Sequence, residues 1–399
     1  MISLDDARRH VLSETRTLGA RPVPLLTAAG CVTAEVVVAG DDVPPFANTA
    51  MDGYAVRAAD TTMPPVRLEV VGTLPAGAAP DRAVGPGEAV RIMTGAPMPP
   101  GADAVVMVER TRVDDGGYVV VEAAAAPGDH VRRAGDDVTA GQVVFEAGEL
   151  LTPGHLGVLA SLGRETVTVV GRPRVGVLST GDELVSAPDR LRPGQIRDSN
   201  RPMLLALVSA SGFEAVDLGM VGDDETALAD AVSAGAARCD ALVTTGGVSV
   251  GDYDYVKAVL DRLGRMNWWQ VAIKPAKPFA FGIVQGVPVF GLPGNPVSSM
   301  VSFELFARPA LRQMAGHRRL NRPVVKAVAD EPLRRRHDGK LHLVRVVASE
   351  GDDGRWHVRS SGGQSSHLLR AMALANALAL LPDGEGVDAG GTVQTMLLS

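Results

Sequence analysis

Apolar positions change their period several times along the chain, and each change marks a predicted element. Ser3 followed by Asp6 reads as a capping-box start, and Leu4, Ala7, Val11, Leu12 and Leu18 continue from it at helical spacing, so the chain opens on an amphipathic helix. From Pro44 to about Phe145 the pattern shortens to β-branched runs, Val66 to Gly72, Ala104 to Val108 and Tyr118 to Val121 among them. Gly and Pro turns divide these runs, as in a small β-rich domain. Leu150 to Leu162 returns to a helical pattern. That return predicts an insertion, in which the helical stretches before Pro44 and after Phe145 pack together and the β-rich piece forms a lobe between them.

From Pro173 to about Gly316 apolar strands alternate with helical stretches, the signature of a mostly parallel sheet covered by helices, a three-layer α/β domain. Arg174 to Ser179, Ala215 to Leu218 and Ala241 to Thr245 read as strands, with Arg201 to Ala210 and Glu225 to Arg238 as helices between them. After Asn321 the segments Val324 to Ala329, Leu341 to Val347 and Thr392 to Leu398 alternate between Pro and Gly turns, which predicts a terminal β domain. The fold class is therefore α/β and β multidomain. Its parts are a discontinuous helical linker (1–43 with 146–172), a β-rich lobe (44–145), the α/β domain (173–320) and a C-terminal β domain (321–399).

Composition agrees with several domains, because 399 residues exceed what one hydrophobic core organises. A formal charge of −7 leaves no global field to draw nucleic acid or an anionic membrane, so an anionic ligand needs a local basic site. Asp5 and Asp6 stand where a secretion signal would be apolar, and the apolar run around Ala377 to Leu381 is far too short to span a bilayer. A cytoplasmic protein is expected. Cys31 and Cys239 are the only cysteines and form no CxxC spacing, which argues against a zinc site or a disulfide and for two buried small hydrophobes.

Ligands of open α/β sheets sit beyond the carboxyl ends of the strands, which directs attention to the loops that follow them. Thr180-Gly181-Asp182-Glu183 follows one strand, and Gly246-Gly247-Val248-Ser249-Val250-Gly251-Asp252-Tyr253-Asp254 follows another. Glycines there let backbone N–H groups approach a phosphate or carboxylate, and a helix beginning near Asp252 would add its positive end. A plain strand-to-helix turn explains Gly246 and Gly247 alone, but not Asp254 beside them. Lys274-Pro275-Ala276-Lys277-Pro278 holds two lysines on backbone that the prolines keep out of a helix, a pair of point charges suited to an oxyanion. Gly291 to Pro296 ends a further strand before a helix from about Val297 to Met314; a rigid turn with Pro296 near the first helical position accounts for its prolines without a ligand. In the lobe, Asp52, Thr94 within Met93 to Ala96, and Asp136 and Asp137 lie in turns whose chemistry is by itself unremarkable. Gathered in one cleft, the carboxylates Asp52, Asp137, Glu183, Asp223 or Asp224, and Asp254 would repel one another, a conflict that a bound Mg²⁺ removes.

Taken together, PPFANTAMDGYAV, STGDEL, GQIRDSNRPML, TTGGVSVGDYDY, KPAKPFAFG, GLPGNPVSS and QSSHLLRAMALANAL resemble the molybdopterin molybdenumtransferase family, MoeA-type proteins that include the E domain of gephyrin. Thr49 departs from the serine common in that motif, and Ala276 from the usual glycine. The resemblance implies the same four regions and an elongated homodimer, with a cleft between the molybdopterin-binding α/β domain of one subunit and the lobe of the other. It implies insertion of molybdenum from molybdate into adenylyl-molybdopterin with Mg²⁺-assisted release of AMP, and an upstream molybdopterin adenylyltransferase as a partner. Carried over by motif, Asp52, Asp137, Glu183, Asp224 and Asp254 hold metal or position water and substrate, with Glu183, Asp224 and Asp254 as the metal ligands. Thr94, Gly246, Gly247, Ser249, Lys274 and Lys277 contact substrate, and Pro293 and Pro296 shape the molybdate pocket. A molybdopterin adenylyltransferase would share the TTGG loop but would need neither the lobe nor the terminal domain. A non-catalytic scaffold would have no use for intact lysines and carboxylates.

Overall fold

The computed structural model describes residues 1–248 and 255–398. The chain divides into two compact units. The first comprises Met1–Pro22, Gly30–Ala34 and Thr168–Ser399, and the second Val23–Ala29 with Glu35–Val167.

The first unit is built on a six-stranded sheet of β1 (Arg174–Thr180), β2 (Glu214–Val221), β3 (Ala241–Thr245), β4 (Gly264–Gln270), β5 (Pro278–Val284) and β6 (Val287–Leu292), in the order β2-β1-β3-β6-β5-β4. The first four in that order are parallel, and β5 and β4 close the edge antiparallel. Strands β1, β3 and β6 are buried almost throughout, as the continuous apolar runs required, because helices cover both faces. The chain leaves β1 for β2 on one side and then returns to β3 on the other, so the strand order reverses between the carboxyl ends of β1 and β3. A ligand crevice is expected at such a reversal. Strands β4 and β5 were not legible in the sequence, since Arg265 to Gln270 lacks a clean alternation. Gly264 and Gly282 let the two backbones meet there: a Cβ at Gly282 would stand 2.1 Å from the Arg265 carbonyl oxygen.

Helices α1 (Leu4–Glu14), α2 (Asn200–Ala210) and α3 (Glu225–Ala236) fall where the periodicity placed them, although Leu18 lies beyond α1; a further helix, α4, covers Tyr255–Leu263. Ser3 Oγ caps α1 by accepting the Asp6 N–H at 3.0 Å, while the Asp6 carboxylate accepts the Ser3 hydroxyl instead of the Ser3 N–H of a full capping box. Ala7 and Val11, one turn apart, drop into the core with Val175, Phe281 and Leu311. The helix expected from Val297 to Met314 is three pieces: α5 (Pro296–Ser302), a π-helical stretch Phe303–Ala307 and α6 (Arg308–Met314). The π-helical stretch is wholly buried, and its one charge, Glu304, is neutralised by Arg322 through two bonds of 2.9 and 3.0 Å.

The terminal domain belongs to the same unit. Leu341–Glu350, Trp356–Ser360, Val324–Ala329, Thr392–Leu397 and Ala377–Leu381 pair in that order, and the last pairs back onto the first, so the five close into a ring without free edges. Ile273–Lys274 adds to the outside of Leu341–Glu350 in parallel, with Lys274 opposite His342.

The second unit carries a six-stranded sheet in the order Ala104–Met107, Gly53–Val56, Glu88–Ile92, Val66–Leu74, Tyr118–Val121 and Thr111–Asp114. Its helix Pro153–Ser161 packs on the short turn Leu25–Thr27, and the Leu25 N–H donates to the Glu165 carbonyl at 2.9 Å. Of the segments before Pro44, this turn meets the later helix, whereas α1 docks on the α/β core. Among the described residues no helix is long and apolar enough to cross a membrane.

Candidate functional site

Parallel pairing sets the carboxyl ends of β1, β3 and β6 side by side, with Ser179 opposite Thr245 and Thr245 opposite Leu292. The loops that follow line a crevice of about 380 Å³ with Gly181, Glu183, Gly246, Gly247, Pro293 and Asn295 on its walls. Gly246 and Gly247 turn through φ +100° and +63°, and a Cβ at Gly246 would lie 2.5 Å from the Thr180 carbonyl oxygen. Only glycine fits that approach of two loops.

The carboxylates divide their work. Glu183 and Asp223 line the crevice, each without a side-chain hydrogen bond among the described residues. Asp182 Oδ1 accepts the Asp223 N–H at 2.9 Å, tying the loop after β2 to the loop after β1. Asp224 is the N-cap of α3, its Oδ1 accepting the Ala227 N–H at 2.7 Å. Ser249, Asp254 and the helix start expected near Asp252 lie outside the described residues. Among the described residues no three His, Cys, Asp or Glu side chains converge as a metal cage. Two carboxylates beside a phosphate-sized space nevertheless suit Mg²⁺, which takes one or two carboxylates and completes its shell with phosphate oxygens and water.

A second cavity, of about 680 Å³, adjoins the first across Pro278, Pro293 and Asn295, which line both. Lys274 and Lys277 are exposed on its wall while Pro275 and Ala276 between them are buried, so the loop is anchored by its middle and presents its charges. Ala276 sits at φ +73°, a conformation that costs an L-residue about 1–2 kcal/mol. Ala276→Gly is expected to raise stability by about 1 kcal/mol, less whatever the buried methyl contributes, with kcat/KM unchanged. A lowered thermal midpoint would show that the methyl packing outweighs the strain.

The sequence reading missed the far wall of this cavity, which the terminal domain supplies through Lys340, Gln364, Ser365 and Ser366. Lys340 Nζ pairs with Asp338 at 3.1 Å, and Asp338 also meets His342 Nε2 at 3.1 Å. The His342 contact is the main reason that the Asp338 carboxyl is held far below the usual carboxylate range; burial in turn pushes the His342 imidazole down. Arg345, fully buried, donates from Nη2 to the Gly363 and Ser365 carbonyls at 2.6 and 3.2 Å and so holds the Gln364–Ser366 wall in place. The QSS of QSSHLLRAMALANAL was the available signal, but nothing local said which cavity it would face. Pro293 lines both cavities, whereas Pro296 lines neither and serves as the first residue of α5.

In the second unit, Asp52 Oδ1 accepts both the Thr94 hydroxyl and the Thr94 N–H at 2.7 Å, and these two bonds hold its carboxyl below the usual range. Thr49 is buried and closes a turn on Met51 through its hydroxyl, a bond that serine would make equally. Asp136 accepts the Arg133 N–H, leaving the neighbouring Asp137 carboxylate exposed and without a hydrogen bond among the described residues.

Three family models match the chain in succession: the MoeA N-terminal region (domain I and II) over residues 2–163, a probable molybdopterin binding domain over 176–313, and the MoeA C-terminal region (domain IV) over 326–398. The molybdopterin molybdenumtransferase of Haemophilus influenzae is 39% identical, with 98% of each chain covered. Molybdopterin molybdenumtransferase 2 of Mycobacterium tuberculosis is 41% identical, again over 98% of both. Among solved structures, the crystal structure of a molybdopterin biosynthesis moeA protein from Pyrococcus horikoshii superposes with a TM-score of 0.82 at 30% identity, covering 100% of both chains.

Proposed function

The chain belongs to the molybdopterin molybdenumtransferase family of molybdenum cofactor biosynthesis, and from that premise we propose that its two adjoining cavities divide the two substrates between them. The observation that carries this reading is their opposite character. One is lined by glycine backbone with Glu183 and Asp223, the other by three lysines, and both share the wall of Pro278, Pro293 and Asn295.

The N–H groups of the Gly246–Gly247 turn receive the phosphate region of adenylyl-molybdopterin, and Ser249 extends that contact. Lys274 and Lys277, with Lys340 opposite, bind molybdate beside the pterin, where the dithiolene sulfurs take up the metal. Glu183 and Asp223 would hold Mg²⁺, with Asp254 as a further ligand by motif and Asp224 supporting through the start of α3. A Mg²⁺ held there would supply Lewis-acid stabilisation of the charge that develops as water attacks the phosphoanhydride and AMP leaves. Asp52, oriented by Thr94, and Asp137 act in trans in a homodimer. The exposed apolar pair Val38 and Val143, opposite one another in a two-stranded ribbon of the second unit, supports an uncovered surface available to a second copy. The reaction is placed in the cytoplasm, with adenylyl-molybdopterin received from an upstream adenylyltransferase.

AMP release from adenylyl-molybdopterin tests the reaction. It is expected to require both molybdate and Mg²⁺ and to fall at least about a hundred-fold in Glu183→Ala. Equal rates with Mg²⁺ omitted, or in Glu183→Ala, would remove the metal from the mechanism. Sedimentation at micromolar concentration checks the dimer. A molybdopterin adenylyltransferase would consume ATP in the same assay, and that reading gives no role to the matched regions on either side of residues 176–313.

A further inference from the structure

The segment GQIRDSNRPML, residues 194–204, is the motif that the reaction above leaves without a part. It lines neither cavity, yet it sits at the start of α2 and reaches into the wall that both share. Asp198 fixes that start: its two oxygens accept the Arg201 N–H and the Arg201 Nε–H, each at 3.1 Å. Arg201 extends the tie to Asp217 on β2 at 2.6 Å. The first residue of the helix, Asn200, is thereby held with its side chain toward the ends of β3 and β6.

Asn200 Nδ2 donates to the Gly294 carbonyl at 2.7 Å and to Thr245 Oγ1 at 2.8 Å. Thr245 Oγ1 lies 3.1 Å from Ser299 Oγ, and the Ser299 hydroxyl donates to the Pro293 carbonyl at 2.6 Å. One carboxamide nitrogen thus joins the last residue before the Gly246–Gly247 turn to the Pro293–Asn295 wall. The Gly294 carbonyl can only accept, so the nitrogen must face it. Flipping the amide would give Oδ1, which is buried without a partner among the described residues, the Thr245 hydroxyl, but would set oxygen against oxygen at Gly294. The observed orientation is the one that serves the two loops.

We propose that Asn200 is a positioning residue for the transfer reaction. It sets the spacing between the anion-binding Gly246–Gly247 turn and the Pro293–Asn295 wall, and with it the fit of adenylyl-molybdopterin in the crevice that both line. The proposal rests on the substrate assignment made above. Misplacing a binding loop by about 1 Å costs up to roughly a hundred-fold in rate. An aspartate cannot substitute, because it brings an acceptor to the Gly294 carbonyl.

The full-length protein with Asn200→Ala is expected to show a KM for adenylyl-molybdopterin raised by about ten-fold or more. Asn200→Asp should match it. Thr245→Val should lose the same contact, Thr245→Ser should restore the wild-type KM, and the Asn200→Ala/Thr245→Val double variant should be no worse than either single one. Amide hydrogen exchange should rise in peptides covering 242–248 and 290–298 and nowhere else. A merely structural role would lower the active fraction and leave KM unchanged; that result, or effects that multiply in the double variant, would overturn the proposal. Absence of AMP release from the wild type would instead sink the substrate assignment, and the exchange pattern would still report whether the clamp exists.

Discussion

Replacing Lys274 and Lys277 together with alanine is expected to lower kcat/KM for molybdate-dependent AMP release by about a thousand-fold while leaving the thermal midpoint unchanged. Each lysine presents a charge to a cavity whose remaining wall, Lys340 apart, is neutral, so an oxyanion there is held mainly by cations. A hydrogen bond to a charged group contributes about 1.5–3 kcal/mol, and two such bonds convert to roughly three orders of magnitude. Both side chains are exposed and their loop is anchored by buried Pro275 and Ala276, which is why folding should not suffer. Lys340 reaches the same cavity but is already shared with Asp338, so it compensates only in part. Initial rates against molybdate concentration at fixed ionic strength check this. A loss smaller than about ten-fold would take the lysines out of molybdate binding. Arginine at both positions should rescue incompletely, because a planar fork does not reproduce two point charges.

Gly246→Ala is expected to cost about 2–3 kcal/mol of stability and at least a hundred-fold in kcat/KM. At φ +100° the backbone alone disfavours any L-residue, and the added carbon would stand 2.5 Å from the Thr180 carbonyl oxygen and 2.8 Å from the Thr180 hydroxyl. Both obstacles lie at the end of β1, directly before the loop that carries Glu183, so the two walls of the crevice are forced apart. Gly212→Ala separates the causes: its φ is +88°, but the space around it is open, so only the backbone penalty of about 1–2 kcal/mol applies and turnover should be kept. Thermal unfolding and steady-state rates on the two variants decide the matter. Equal kinetics would show that the Thr180 approach has no catalytic meaning.

The outcome at Asp223 and Asp224 shows where reading along the chain stops. Adjacent carboxylates in one turn look alike in sequence, and the resemblance favoured Asp224. In the folded chain one oxygen of Asp224 accepts the Ala227 N–H, while Asp223, held through its own N–H by Asp182, lines the crevice. The same holds for Lys340 and Arg345. Lys340 reaches the anion cavity because the strand that follows it, Leu341–Glu350, pairs with Ile273–Lys274, nearly seventy positions earlier, and Arg345 on that strand is buried and braces the Gln364–Ser366 wall.

Legible from the amino acids alone were the α/β domain, the strand ends and the loops that carry the glycines, the lysines and the turn prolines. Those features are local. A buried parallel strand declares itself by a run of five to seven apolar residues, and the turn after it by glycine and proline, whose backbone preferences act within two or three positions. Folding in three dimensions settled which of these loops face one another, which aspartate is free and which one caps a helix, and how the terminal ring delivers Lys340 and the Gln364–Ser366 wall. The Asn200 clamp belongs to the same class. Such neighbourhoods arise from strand order and long-range pairing, where a donor and an acceptor dozens of residues apart meet because the sheet places them together, and no short-range pattern in the chain encodes that meeting.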